Sequence, residues 1–233
     1  SYLLNDSLIP TTLAFVHTFP DGDRDFSFYR KPGADLMLRE SDIKEEMFDG
    51  ARIFHFGTLS MTDPMVEEAT MKAVSIAKSK GLIISLDPNL RPPLWDNLEH
   101  AREMMLKAIS LCDVLKISDN EIQFVSGLED YDEGVRFLCE RFNTRLILLT
   151  LGKDGSRAYY NGMRKEVPGF IQSNVIDTTG AGDTFCGCVL NYICENGLDN
   201  LSEDDLTNML TFANAAASIV TTKRGAIKSM PEL

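Results

Sequence analysis

Long apolar runs are missing from this sequence. None approaches the roughly 20 residues that a bilayer-crossing helix needs, and no basic-then-apolar leader opens it. Positive charge is also scarce: 23 Lys and Arg face 35 Asp and Glu, a formal net charge of −12. That balance disfavours nucleic acid or an anionic membrane as partner, and any phosphate ligand would need local donors to overcome the field. Histidine occurs three times (His17, His55, His100) without metal-ligand spacing, so these read as structural or exposed. The five cysteines, Cys112, Cys139, Cys186, Cys188 and Cys194, contain no pair of CxxC motifs. Their odd number predicts reduced thiols in a cytoplasmic protein. There is no internal repeat, low-complexity tract or long linker.

What is present suits one substantial core with at most a small appendage, since 44% of the 233 residues are hydrophobic. Thr11 to His17 and Asp25 to Arg30 read as strands joined by a turn at Pro20-Asp21-Gly22-Asp23. From Ser41 the rhythm becomes strand and helix in alternation. Strands are predicted at 52–57, 82–87, 114–117 and 145–150, and helices at 64–80, 99–110, from 119, and around 133–141. In the first helix Met65, Ala69, Ala73, Ile76 and Ala77 form the expected apolar stripe. Two short strands, 156–160 and 165–167, meet at Asn161-Gly162, and helices at 182–195 and 202–221 follow. Strands rich in Ile, Leu and Val at this spacing predict an α/β fold with a mostly parallel sheet covered on both faces.

The most informative stretch is Asp177-Thr178-Thr179-Gly180-Ala181-Gly182-Asp183-Thr184-Phe185. Gly180 and Gly182 let backbone N–H groups turn toward one point, and a helix N-terminus behind them adds unpaired donors and a positive dipole end. Such a place suits an anion, most naturally a phosphate. An acid there repels phosphate in the ground state, so Asp183 suggests a base that takes a proton from an attacking hydroxyl. Helix capping is the competing explanation for a lone Gly-Ala-Gly-Asp.

Further motifs match along the chain: Phe28-Tyr29-Arg30, Phe54-His55-Phe56-Gly57, Asp87-Pro88-Asn89-Leu90-Arg91 with Leu94-Trp95, Leu149-Thr150-Leu151-Gly152-Lys153-Asp154-Gly155, and Thr221-Thr222-Lys223-Arg224-Gly225-Ala226. In this order they resemble the ribokinase-like (PfkB) carbohydrate kinases, and within them the fructokinases. The resemblance implies a three-layer α/β sandwich with a small β lid, and ATP-dependent phosphorylation of a sugar's primary hydroxyl, fructose to fructose 6-phosphate. Asp183 would be the base, with Gly180, Ala181, Gly182 and Asp183 N–H groups as the anion hole. Thr150, Gly152, Gly155, Asn214 and Gly225 would border the nucleotide, although Asn214 has the alternative of bonding a neighbouring helix.

Asp87, Asn89 and Arg91 end a strand ahead of Pro92-Pro93 and would face sugar or phosphate, or else form a loop-stabilising Asp–Arg network. Arg30 would contact sugar, with an exposed surface charge as the alternative. Ser118 followed by Glu121 is a capping box by pattern, while the resemblance gives Glu121 a role in organising Mg²⁺ through water. Asp177, Thr179 and Ser229 resemble a K⁺ loop.

The family's first strands and its sugar-contacting Gly-Gly motif have no match here, so the sequence is expected to begin inside the fold. Residues 1–34 would be a partial lid and 35–233 the nucleotide- and sugar-binding domain. Exposed lid groups such as Phe15, Phe26 and Phe28 suggest a homodimer through the lid. The alternatives are a kinase for another hexose or a 2-keto-3-deoxy sugar acid, or a non-catalytic nucleotide- or sugar-binding regulator.

Overall fold

The structure, a computed structural model, describes residues 2–19 and 24–231, so the predicted turn at 20–23 lies outside the described residues. The chain forms two compact units. The first comprises Ser1–Phe15, Phe26–Leu115 and Gln123–Thr144, and the second Val16–Asp25, Lys116–Ile122 and Arg145–Leu233. Two strands, β1 (Leu13–Thr18) and β2 (Arg24–Tyr29), pair with each other alone, as the sequence predicts. Alternation in β1 is poor, and Leu13, Phe15 and Val16 are left exposed.

In the first unit β3 (Ile53–Phe56), β4 (Ile83–Leu86) and the start of β5 (Val114–Ser118) run parallel, with Phe56 opposite Leu86 and Leu86 opposite Leu115. The helices between them begin at polar capping residues. Asp63 accepts from Met65 N–H ahead of α1 (Pro64–Ser79), whose proline stands in the first turn where no N–H is needed. Asn97 accepts from His100 N–H ahead of α2 (Leu98–Ile109). After α3 (Asp119–Ser126), Asp130 caps α4 (Tyr131–Cys139) through Glu133 N–H.

The stripe predicted for α1 is rotated. Val66, Ala69, Thr70, Ala73, Val74 and Ala77 are buried, while Met65 and Ile76 are only half-buried. Thr70 can face the core because its hydroxyl donates to the Val66 carbonyl at 2.8 Å and the Ser60 carbonyl lies 2.9 Å away. Between β2 and β3 lie three short 3₁₀ turns, Ala34–Met37, Glu40–Asp42 and Glu45–Phe48, which sequence periodicity did not reveal.

In the second unit the order is β5, β6 (Leu146–Thr150), β7 (Ser156–Tyr160) and β8 (Met163–Val167). The last three are antiparallel. Asn161 and Gly162 both adopt positive φ, 47° and 80°, the conformation that an Asn-Gly hairpin turn requires. Leu146, Ile147, Leu148 and Leu149 are buried without interruption, as befits a strand covered on both faces.

Two helices complete this unit, α5 (Ala181–Asn196) and α6 (Glu203–Val220). Ser202 and Asp205 form a capping box at the start of α6, and Tyr192 of α5 donates to the Asp205 carboxylate at 2.6 Å. The Ser202 hydroxyl, then the Tyr192 hydroxyl and the Ser202 N–H, hold the Asp205 carboxyl down to about 2. Desolvation first, then the bond to and charge of Asp205, pushes the Tyr192 phenol up to about 12. The depressed acid stabilises the fold above the ordinary carboxylate range, and that contribution is lost as pH falls toward 2. The raised phenol contributes below about pH 10, and its contribution is lost as pH rises through 12. Tyr192→Phe should therefore lower the urea midpoint near neutral pH, with the gap from wild type closing between about pH 4 and pH 2. A gap constant over that range would show that the Tyr–Asp link is not its source.

Candidate active site

The segment ahead of α5 is fixed before the helix starts. Ile176 and Asp177 N–H both donate to the Thr221 carbonyl, at 2.8 and 3.2 Å. The buried Asp177 carboxylate accepts from Thr179 N–H at 2.9 Å and from Gly225 N–H at 3.0 Å. The chain then turns at Gly180, whose φ of 82° is left-handed, so glycine is the residue this N-cap position favours. A side chain there would also press on Ala226, with Cα and Cβ both 3.1 Å from the added atom.

No side chain caps α5. Ala181 N–H donates to Thr178 C=O at 3.3 Å, but Gly182 and Asp183, as the second and third helical residues, have N–H groups with no intrahelical acceptor. Asp183 is exposed, and its carboxylate has no hydrogen bond or ion pair among the described residues. Capping would have put that carboxylate on a first-turn N–H. What remains is a turn of outward donors with an unencumbered acid beside them.

Ser229 is fully buried, its hydroxyl against the Gly225 and Ala226 carbonyls at 2.5 and 2.6 Å. One hydroxyl hydrogen serves one carbonyl well, so this corner is rich in oxygen lone pairs. The Thr179 hydroxyl is buried there without a hydrogen-bond partner among the described residues. Asp177, Thr179 and Ser229 thus share one network with Gly225, and the donor set is oxygen only, which suits a hard cation. No group of three or more His, Cys, Asp or Glu able to hold a metal ion occurs among the described residues.

On the side predicted for the nucleotide, Thr150 ends β6 half-buried. Gly152 follows at φ 56° with open space where a side chain would be, as does Gly225 at φ 91°. Gly155 differs: it packs against the Val167 carbonyl and the Pro168–Gly169 peptide. Asn214 is engaged internally at both ends. Its carbonyl oxygen accepts from Ser156 Oγ at 2.9 Å, and its amide donates to the Val167 and Pro168 carbonyls at 3.1 and 3.4 Å. Asn214 therefore bonds within the protein, as the alternative has it, but its partners lie on or just after β7 and β8 and not on a neighbouring helix.

Glu121 realises the capping-box pattern. It is buried, its Oε2 accepts Ser118 N–H at 2.9 Å, and Glu121 N–H approaches Ser118 Oγ at 3.4 Å. Lys116, in the middle of the apolar strand Val114-Leu115-Lys116-Ile117, escaped the sequence reading. Its side chain is buried, and its Nζ lies 3.3 Å from where a Cβ on Gly182 would stand. A charged residue inside a fully buried strand was the signal available.

The remaining predicted residues belong to the first unit. Arg30 is not a surface charge: it is 9% exposed, with Nε and Nη2 on the Asp35 carboxylate at 2.8 and 2.7 Å. Its Nη1 reaches Thr62 Oγ1 at 2.9 Å and its Nη2 the Leu59 carbonyl at 2.8 Å. Four of the five guanidinium N–H groups are thereby used. Asp87 is buried at the end of β4, and Asn89 follows at φ 52°. The Arg91 guanidinium lies over the Phe26 ring, 5.1 Å from its centroid, a cation–π contact. Pro92-Pro93 does not leave a simple loop, because Pro92–Leu94 closes a 3₁₀ turn.

Comparison with known proteins adds the chemistry. The profile of the pfkB family carbohydrate kinases matches residues 1–233. "Probable fructokinase-2" of Arabidopsis thaliana is 40% identical over 221 residues, 95% of this chain and 67% of that protein. The fructokinase of Xylella fastidiosa with bound ATP superposes with a TM-score of 0.86 at 33% identity, covering 97% of this chain and 72% of that one. A double mutant of the fructokinase of Vibrio cholerae O395, in its fructose, ADP and potassium ion bound form, gives 0.85 at 28% identity, covering 99% and 73%. The fold is accordingly ribokinase-like, with a mostly parallel central sheet.

Proposed function

Because the chain belongs to the pfkB family of carbohydrate kinases, we propose that it transfers the γ-phosphoryl group of ATP to the primary hydroxyl of fructose, giving fructose 6-phosphate and ADP. The observation that carries this reading is the uncapped first turn of α5, with outward N–H donors and the exposed Asp183 carboxylate. Asp183 accepts the proton of the attacking hydroxyl while the new O–P bond forms and the bond to the β-phosphate oxygen breaks. Gly180, Gly182 and Asp183 N–H groups, with a lesser share from Ala181, hold the oxygens on which charge builds. One such donor is worth about 2.7–4 kcal/mol in comparable sites.

Mg²⁺ carried on the nucleotide phosphates would supply charge neutralisation, and Glu121 would organise it through water. Asp177, Thr179 and Ser229 would hold K⁺, which suits the buried, unpartnered Thr179 hydroxyl. Thr150, Gly152 and Gly225 would line the nucleotide, with Gly155 and Asn214 fixing the end of β8 beneath it. Asp87, Asn89 and Arg91 are the proposed sugar contacts, with Arg30 bracing their unit through Asp35, Thr62 and Leu59. Residues 1–34 would act as a partial lid to the domain at 35–233. The exposed Leu13, Phe15, Val16 and Tyr29 favour a homodimer through it.

None of the five cysteines is in a disulfide, which suits a cytoplasmic protein. No helix among the described residues is long and apolar enough to cross a membrane.

ADP release by the purified protein, with ATP, Mg²⁺ and a panel of sugars, tests the proposal. Fructose should give the highest kcat/KM. A preference for a 2-keto-3-deoxy sugar acid would replace the substrate, and ATP binding without turnover on any sugar would make the protein a regulator.

A further inference from the structure

The two arginines Arg30 and Arg91 of the first unit are in opposite situations. Arg30 is buried, with its N–H groups on Asp35, Thr62 and Leu59. Arg91 is half-buried, and its guanidinium makes a single hydrogen bond among the described residues, from Nη1 to the Leu90 carbonyl at 3.0 Å. No carboxylate pairs with it there. What meets its charge is the Phe26 ring, with Cζ 5.1 Å from the centroid. An aromatic ring attracts a guanidinium without consuming any of its five N–H groups, so the donors beyond Nη1 stay available to oxygens.

The strand pattern explains how Phe26 comes to stand there. Along β2 and just past it, Phe26 and Phe28 are half-buried and Arg30 is buried, while Asp25, Ser27 and Tyr29 are exposed, the alternation of a strand with one face turned inward. Phe28 stacks on Phe26, with centroids 6.0 Å and planes 13° apart, which restricts the Phe26 ring. Arg91 follows β4, at the carboxyl end of a parallel strand, where open α/β sheets receive ligands. A second link joins the same two segments, Lys31 Nζ to the Asp96 carboxylate at 3.0 Å, but both side chains are largely exposed and such a pair is screened by water. The ring contact is therefore the one that can fix an orientation. An arginine that orders itself only on binding loses affinity to its own rotamer freedom, and a ring that holds it beforehand lessens that loss.

We propose that Phe26 is a positioning residue for sugar recognition. Its ring holds the Arg91 guanidinium in the orientation in which the remaining N–H groups bind sugar oxygens. This inference rests on the kinase reading and on Arg91 as a sugar contact. Its test is a double-mutant cycle on initial rates, with fructose and ATP varied separately. Phe26→Leu should raise the KM for fructose about three- to tenfold, the range of a partly desolvated cation–π contact. Its kcat and its KM for ATP should stay within about twofold of wild type, the mark of an interaction common to bound sugar and transition state. Phe26→Tyr, which keeps a π face, should recover most of the loss. In an Arg91→Met background, Phe26→Leu should shift the fructose KM by less than about twofold, because nothing is left to position. Loss of the ring could also loosen β2, so a trifluorinated phenylalanine at position 26 serves as the second variant. It keeps the ring's shape while drawing charge from its π face, and it too should raise the fructose KM. An unchanged KM in Phe26→Leu, equal losses with and without the Arg91 guanidinium, or a fluorinated ring equivalent to phenylalanine would each overturn the proposal while leaving the kinase reading in place. A wild type inactive on every sugar would overturn that reading, and this inference with it.

Discussion

Asp183→Asn should lower kcat with fructose by roughly 10²–10⁴-fold, the usual worth of a positioned general base, while the Kd for ATP stays within about threefold of wild type. The amide keeps the size of the carboxylate and leaves the backbone donors of the turn where they are, so nucleotide binding has no reason to weaken. It cannot accept the hydroxyl proton. Since the Asp183 carboxylate has no hydrogen bond or ion pair among the described residues, the substitution breaks no internal contact and the thermal midpoint should hardly move. Steady-state ADP release combined with calorimetric titration makes the measurement. A variant with normal kcat would remove Asp183 as base, and a variant unable to bind ATP would show that the carboxylate serves the turn's structure instead.

Gly155→Ala is the substitution expected to harm the fold most. At φ 105° the backbone is outside what a residue with a Cβ readily adopts, and the added atom would overlap the Val167 carbonyl oxygen and come within 2.6 Å of Gly169 N. These neighbours are backbone atoms and cannot swing aside as a flexible side chain would. Left-handed strain costs about 1–2 kcal/mol, and forced overlap adds about 1–3. For a chain of this size the sum corresponds to a fall in Tm of roughly 4–20 °C. Gly152→Ala is the matched control, with a similar sign of φ but open space around it, and should cost about 1 kcal/mol. Equal losses for the two would mean that the packing of Gly155 against β8 carries no weight.

Much of this was legible from local pattern because local physics decides it. Asp63, Asn97, Asp130 and Ser202 each stand one residue before a helix, and each accepts a first-turn N–H. The Asn161-Gly162 turn and the glycine at 180 follow from conformations that most residues avoid. The misreadings have nonlocal causes. The stripe on α1 rotated because Thr70 found the Ser60 and Val66 carbonyls and could turn inward. Arg30 was open to a surface reading because its partners Leu59 and Thr62 lie about thirty residues onward. Asn214 needed β7 and β8 in place before its two ends could be assigned. Lys116 was passed over as one polar residue in an apolar strand, and its place beside Gly182 depends on residues some sixty positions onward.

Phosphorus NMR of the reaction mixture with fructose, ATP and Mg²⁺ bears most directly on the whole account. The account predicts ADP and a hexose phosphate resonance coincident with authentic fructose 6-phosphate, appearing together and in equal amount. ATP that stays intact, or ADP accompanied only by inorganic phosphate, would contradict it.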